Sequence, residues 1–110
     1  MAALRTVLHD LTRQEFYLLL DANGKSTTAA RATKAVLQYH YDATTNVADL
    51  FHTKVPPKYK GQGIGYELAV AAFEHFFTMP SHPRMMLSCT FLRDAALPKH
   101  PKYLPIIVLP

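Results

Sequence analysis

The sequence is poor in cysteine and in long apolar runs. Its 110 residues include a single cysteine, which excludes an internal disulfide. No apolar run reaches the roughly 20 residues that a membrane-spanning helix needs. The first ten residues contain Arg5, His9 and Asp10 and show no signal-peptide pattern. We therefore expect a soluble intracellular protein, cytoplasmic or nuclear, that has no membrane partner.

Metal-ligand and nucleic-acid-binding patterns are also missing. The six histidines show neither H-E-x-x-H nor H-x-H spacing, so we predict no metal site. Lysine and arginine outnumber aspartate and glutamate by 12 to 8, an excess that suits an anionic ligand or an uninvolved basic surface. A small basic nucleic-acid-binding domain is a weaker alternative, because no arginine cluster or RNP-like aromatic spacing is present.

The most informative stretch runs from Val47 to Phe77. Residues 47–55 predict a strand, and Pro56-Pro57 must end it because proline cannot donate a ladder hydrogen bond. A glycine-rich turn with basic flanks follows at residues 60–65. Apolar residues at spacing four then predict a helix over residues 64–77, with a stripe that faces the sheet. This stripe consists of Ile64, Leu68, Ala72 and Phe76, with Phe73 and Phe77 beside it.

The glycine-rich turn has the chemistry of a phosphate site. Backbone N–H groups at a helix N-terminus carry partial positive charge, and glycine lets the backbone approach an anion closely. The turn is not a P-loop, because no Lys-Ser or Lys-Thr follows Gly65, and Gly61-x-Gly63-x-Gly65 is one residue short of the dinucleotide fingerprint. The simpler interpretation is a tight turn that only starts a helix.

The rest of the chain predicts a mostly antiparallel sheet. Residues 5–9 favour an edge strand, and residues 15–20 favour a buried strand, with a helical turn as the alternative. Residues 34–41 alternate in polarity as a half-buried strand does, and residues 42–46 form a hairpin connection to the strand at 47–55. Residues 85–91 predict a buried fifth strand, parallel to the fourth across the helix. We expect one helical turn near residues 92–97 and a C-terminal tail along the surface without a long element.

The turn resembles the pyrophosphate loop [Q/R]-x-x-G-x-[G/A] of the GNAT superfamily of acetyl-CoA-dependent N-acetyltransferases. Lys60 stands where that superfamily usually has glutamine or arginine. Very short superfamily members, N-acetyltransferase domain-containing proteins with little more than the cofactor half, are similar in three further motifs. These are Asp49-Leu50-Phe51-His52-Thr53-Lys54-Val55-Pro56, Ser88-Cys89-Thr90-Phe91, and Leu97-Pro98-Lys99-His100-Pro101-Lys102-Tyr103.

This resemblance implies an α+β, GNAT-like fold over residues 1–110 as one minimal domain. The sheet would be mostly antiparallel, with one long helix after the pyrophosphate loop and a parallel strand pair splayed around CoA. The backbone of Thr53, Lys54 and Val55 would bind the pantetheine arm of acetyl-CoA. The cofactor-binding loop would hold the pyrophosphate, and it consists of Lys60, Gly61, Gln62, Gly63, Ile64 and Gly65.

Two side chains are candidates for catalysis. Cys89 could accept the acetyl group, line the thioester pocket, or be a small buried apolar residue. His52 could be the general base that deprotonates the amine, or a strand histidine without a catalytic role. His52 and Thr53 point to opposite faces, so at most one of them faces the cofactor cleft. The short relatives often have tyrosine where this chain has Phe91, so the resemblance assigns no general acid to that position.

The sequence therefore predicts an acyltransferase that moves an acetyl group from acetyl-CoA to an amine. The acceptor is open: a protein lysine, a protein N-terminus, a polyamine or a small metabolite. The first alternative is a module that binds CoA or acetyl-CoA without turnover, since a short chain leaves little room for an acceptor site. The second is the nucleic-acid-binding domain named above.

Overall fold

The structure, a computed structural model that describes residues 5–108, is organised around a six-stranded sheet. The strands lie side by side in chain order. The first four are antiparallel, β5 is parallel to β4, and β6 is parallel to β5. This confirms the predicted α+β class. The strands are β1 (Leu8–Asp10), β2 (Glu15–Leu20), β3 (Thr33–Asp42), β4 (Val47–Lys54), β5 (Arg84–Leu87) and β6 (Ile107–Val108).

One long helix, α1 (Ile64–Thr78), packs on one face of the sheet. Its apolar residues recur at spacing three or four and meet the inward side chains of the strands. Phe77 was predicted to join this stripe, but it is 38 % exposed, because it lies about 100° around the helix from Phe76. No helix in the described part of the chain is long and apolar enough to cross a membrane. The buried residues of α1 are Ile64, Leu68, Ala69, Ala72, Phe73 and Phe76.

Two strand boundaries differ from the prediction by three residues or more, and the others agree to within one residue. The first strand begins at Leu8 rather than Arg5. The fifth strand was predicted to run to Phe91 but ends at Leu87, and the chain turns helical from Thr90. The physical reason lies in the next residues: Leu92 and Ala96 are four apart and both buried, which is a helical rather than an extended pattern. Cys89 therefore lies in the turn after β5 and not within a strand.

The C-terminal segment is more ordered than the tail that was predicted. It forms two short 3₁₀ helices, Leu97–Lys99 and Pro101–Ile106, and then β6, a sixth strand that the sequence analysis missed. The Tyr103 ring is buried, and its hydroxyl donates a hydrogen bond to Glu74 on α1 at 2.6 Å. This contact fixes the segment against the helix and brings residues 107–108 beside β5.

A cluster of aromatic rings closes the end of the core near β1. His9 stacks on Phe16 with ring centroids 4.0 Å apart, and its Nε2 lies 2.5 Å from the Tyr39 hydroxyl. The His75 ring of α1 meets the His9 ring edge-on at 4.6 Å. Burial lowers the pKa of both histidines, and charge repulsion from His75 lowers the pKa of His9 further. The fold therefore favours two neutral imidazoles here.

This cluster predicts that the fold loses stability as the pH falls below the unfolded histidine pKa of about 6.5. There the unfolded chain takes up protons that the folded chain binds more weakly, so the free energy of unfolding decreases. We expect less than about 1 kcal/mol per histidine, because both rings are still partly solvated. Urea unfolding of the wild type and His75→Gln at pH 7.5 and 5.5 measures this loss. The variant should lose less stability than the wild type, and equal losses would exclude this role of His75.

Candidate active site

The sheet opens at the point where β4 and β5 separate. Their parallel pairing ends at Leu50 and Leu87, and a final hydrogen bond runs from the Cys89 N–H to the Leu50 carbonyl at 3.1 Å. β4 continues to Lys54 beyond that point, paired with β3 only on its other side. Among the described residues, the backbone edge of residues 51–54 on this side has no strand partner, so it can pair with an extended ligand.

A cleft of about 510 Å³ lies along this edge and reaches the N-terminus of α1. Its walls come from the end of β4, the glycine loop, the first turn of α1 and the turn after β5. The volume lies in the range of small-molecule and cofactor sites. The lining residues are Thr53, Val55, Tyr59, Lys60, Gly61, Gly63, Ile64, Gly65, Tyr66 and Phe91.

The glycine loop exposes backbone amides to this cleft. Gly61 and Gly63 have φ angles of 84° and 78°, which residues with a side chain rarely adopt. A Cβ on either would have no atom of residues 5–108 within 4 Å. Gly63 is the N-cap of α1, and the first intrahelical bond runs from the Glu67 N–H to its carbonyl at 3.0 Å. The N–H groups of residues 64–66 precede that bond and are available to an anion.

Gly65 has a different role from the two glycines before it. A Cβ at this position would lie 3.0 Å from Cζ of Phe91, so the absence of a side chain lets that ring pack against the start of α1. The Phe91 and Tyr66 rings are 5.1 Å apart and form an aromatic wall of the cleft. The sequence analysis missed Tyr59, Tyr66 and Phe91 as site residues. Tyr59 and Tyr66 flank the loop in the sequence, but the sequence does not show that their rings face the cleft. Phe91 is brought there only by the fold.

Basic side chains surround the cleft. Lys60 lines it directly, and Lys58 is exposed beside Tyr59, with Nζ 5.1 Å from the ring centroid. Lys99 is exposed, and its Nζ lies 4.7 Å from the centroid of the Tyr66 ring, at the wall of the cleft. These positive charges favour an anionic ligand at the start of α1.

Thr53 and Cys89 meet where the strands part. The Cys89 thiol is half-buried, and its Sγ lies 3.6 Å from Oγ1 of Thr53. Thr53 is paired with Leu37, so its side chain lies on the α1 side of the sheet and lines the cleft. The structure therefore brings together Thr53, which was predicted to bind the cofactor, and Cys89, the candidate catalytic thiol.

His52 lies on the opposite face of the sheet from this pair. A β-bulge interrupts the β3–β4 register, so that Gln38 pairs with His52 and Tyr39 pairs with Leu50, leaving Phe51 as the extra residue. Both His52 and Phe51 are exposed. Lys54 lies on the same face as His52 and is exposed, so its side chain does not line the cleft.

Asp49 is a side chain on this second face to which the sequence analysis gave no role. It lies between His40 of β3 and Met86 of β5, and its Oδ1 is buried without a hydrogen-bond partner among the residues that the structure describes. Because of the bulge, Asp49 and His52 share a face although they are three residues apart. Regular alternation along a strand would have placed Asp49 and His52 on opposite faces of the sheet. The sequence therefore gave no sign that the two side chains share a face.

Comparison with known proteins agrees with this geometry. The family described as GCN5-related N-acetyl-transferase matches residues 24–106. Protein NATD1 of Danio rerio is 35 % identical over 99 residues, which cover 89 % of this chain and 80 % of that protein. Protein NATD1 of Homo sapiens is 34 % identical over 87 residues, which cover 79 % of this chain and 67 % of that protein. A fold with this glycine loop and a match over most of the chain lead to one conclusion: the chain belongs to the GCN5-related N-acetyltransferase family.

Proposed function

We propose that this protein is an N-acetyltransferase that uses acetyl-CoA as its acetyl donor. The observation that carries the proposal is the position of the cleft, which joins the free edge of β4 to the exposed amides at the start of α1. A ligand with an extended arm and a pyrophosphate group has the two chemistries that these surfaces offer. Acetyl-CoA supplies an activated thioester.

Binding would be divided between the two parts of the cleft. The amides of Gly61, Gly63, Ile64 and Gly65 would hold the pyrophosphate, and Lys60 would add a positive charge. The backbone of residues 53–55 would pair with the pantetheine arm. Gln62 was also predicted in this loop, but its side chain would take no direct part, because it points towards Gly24 and does not line the cleft.

The acceptor amine would approach from the face of the sheet that α1 leaves open. The amine nitrogen attacks the thioester carbonyl, the carbon–sulfur bond breaks, and CoA leaves as its thiolate. His52 lies on the acceptor face and has the chemistry to take the proton that the amine loses. Asp49 lies on the same face of the sheet and would attract a cationic acceptor. Cys89 lies on the donor side with Thr53, where it would line the thioester end.

Binding is tested by substitution at Gly63. Acetyl-CoA at ~100 times its dissociation constant should stabilise the wild type by about 2.7 kcal/mol, which corresponds to a rise in the unfolding midpoint on the order of 10 °C. Gly63→Asp places a negative charge where the pyrophosphate would bind and should abolish the rise.

Gly63→Asn is the matched control, because it has the same shape without the charge, and both residues tolerate a left-handed backbone. We expect it to keep a measurable rise in the midpoint measured by scanning fluorimetry. A wild type without any rise would contradict the proposal, as would a Gly63→Asp variant that keeps the full rise.

Loss of the proposed base should affect turnover and not binding of the donor. We expect His52→Gln to lower kcat by about a hundredfold, the lower end of the range for a general base, with the KM for acetyl-CoA unchanged. CoA release, followed with a thiol reagent against a panel of primary amines, measures both constants. His82→Gln is the control, since that histidine lies in an exposed turn after α1. An unchanged kcat in His52→Gln would remove the base role.

Substitution of Asp49 should weaken binding of the acceptor amine. Asp49→Asn keeps the shape of the side chain and removes its charge, so we expect a KM for a cationic amine that is about fivefold to tenfold higher, in line with the loss of one charge-assisted contact. The KM for acetyl-CoA should not change. The same CoA-release assay measures both, and an equal rise in the two KM values would show that Asp49 only supports the fold.

A further inference from the structure

Arg5 lies behind the glycine loop and joins three segments of the chain. Its Nε donates to the Gly24 carbonyl at 2.6 Å, and its Nη2 donates to Oε1 of Gln62 at 2.8 Å. Its Nη1 lies 3.4 Å from the Gln62 carbonyl and also forms an ion pair with Glu67 in the first turn of α1. These four residues, Arg5, Gly24, Gln62 and Glu67, are called the Arg5 clamp below.

The residues of the clamp pack closely on the side of the loop that faces away from the cleft. The Arg5 side chain is only 18 % exposed. Gly24 has a φ angle of 78°, and a Cβ there would lie 2.2 Å from Oε1 of Gln62, so this glycine leaves the space that the Gln62 side chain occupies. The planar guanidinium of arginine is the group that can reach several acceptors at once in fixed directions.

The contacts of Arg5 fall on Gln62, within the glycine loop. Within the part of the chain that the structure describes, no atom would lie within 4 Å of a Cβ on Gly61 or Gly63, so these residues leave the cleft side of the loop open. From behind, Gln62 is held through both its side chain and its carbonyl by Arg5. The clamp therefore holds the loop in the conformation in which its amides face the cleft.

The charge of Arg5 matters as well as its geometry. Glu67 suits the positive end of the helix dipole, but a free carboxylate one turn from Gly63 would repel an anion bound at the same helix end. The ion pair with Arg5 offsets that charge. Loss of Arg5 would thus loosen the loop and leave an unpaired negative charge beside it.

We propose that Arg5 is a positioning residue that sets the affinity of the glycine loop for the pyrophosphate of CoA. This inference rests on the proposed function. Arg5 precedes residues 24–106, the range that the family shares, so this support belongs to a part of the chain that the family match does not cover. It ties the N-terminal segment to cofactor binding.

The test is the dissociation constant of CoA, measured by titration calorimetry on the full chain. Arg5→Gln should weaken binding about tenfold, equivalent to 1.4 kcal/mol. Arg5→Lys keeps the charge but not the forked geometry, and should weaken binding by a smaller factor of about three. Arg13→Gln removes the same charge from the exposed β1–β2 turn and should bind CoA as the wild type does.

The three variants separate the possible results. Weaker binding in both Arg5 variants, with Arg13→Gln unchanged, supports the proposal, and Arg5→Lys alone decides if Arg5→Gln does not fold. Affinities of the Arg5 variants within twofold of the wild type would overturn the clamp and leave the proposed function intact. An equal loss in all three variants would also overturn it, as a general charge effect. A wild type that binds no CoA would overturn the proposed function and the clamp together.

Discussion

The separation of β4 from β5 is the constraint on which the site depends. Pairing stops at Leu50 and Leu87 because the chain after Cys89 turns helical to bury Leu92 and Ala96. That turn frees the edge of β4 and places Phe91 against Gly65 at the start of α1. The burial of Leu92 and Ala96 thus accounts for both the free strand edge and the aromatic wall of the cleft.

The β-bulge at Phe51 divides the site between the two faces of the sheet. It keeps Thr53 on the α1 side, where it meets Cys89, and turns His52 to the side of Asp49. In the proposed reaction, the donor and the acceptor would reach one gap from opposite faces of the sheet. The two faces have different chemistry: backbone amides and Lys60 line the cleft on the α1 side, whereas a carboxylate oxygen without a partner among the described residues lies on the other face.

Local sequence patterns were sufficient for most of the fold. Ile64–Thr78 follows a clear helical periodicity, and Pro56 ends β4 as the missing N–H requires. The apolar run Glu15–Leu20 is the buried strand that the sequence favoured over a helical turn. The glycine loop was also predictable, since Gly61 and Gly63 adopt the positive φ angles that glycine permits. The GNAT-like family assignment, made from the loop and its flanking motifs, is confirmed by the family match.

The features that were not predicted depend on contacts between distant segments. The apolar run 85–91 suited a strand, and only the burial of the residues after it shows why β5 ends early. The bulge, the Tyr66–Phe91 wall and the contacts of Arg5 join residues that are far apart in the chain or displaced by one register position. The roles of Cys89 and His52 in catalysis stay predictions.

The measurement that tests the central claim most directly is a titration of ¹⁵N-labelled protein with CoA, followed by amide chemical shifts. Binding at the start of α1 predicts the largest and saturable shifts at Gly61, Gly63, Ile64 and Gly65, together with residues 53–55 of the free β4 edge. Saturable shifts confined to another surface, or none at millimolar CoA, would contradict the assignment of this cleft as the cofactor site.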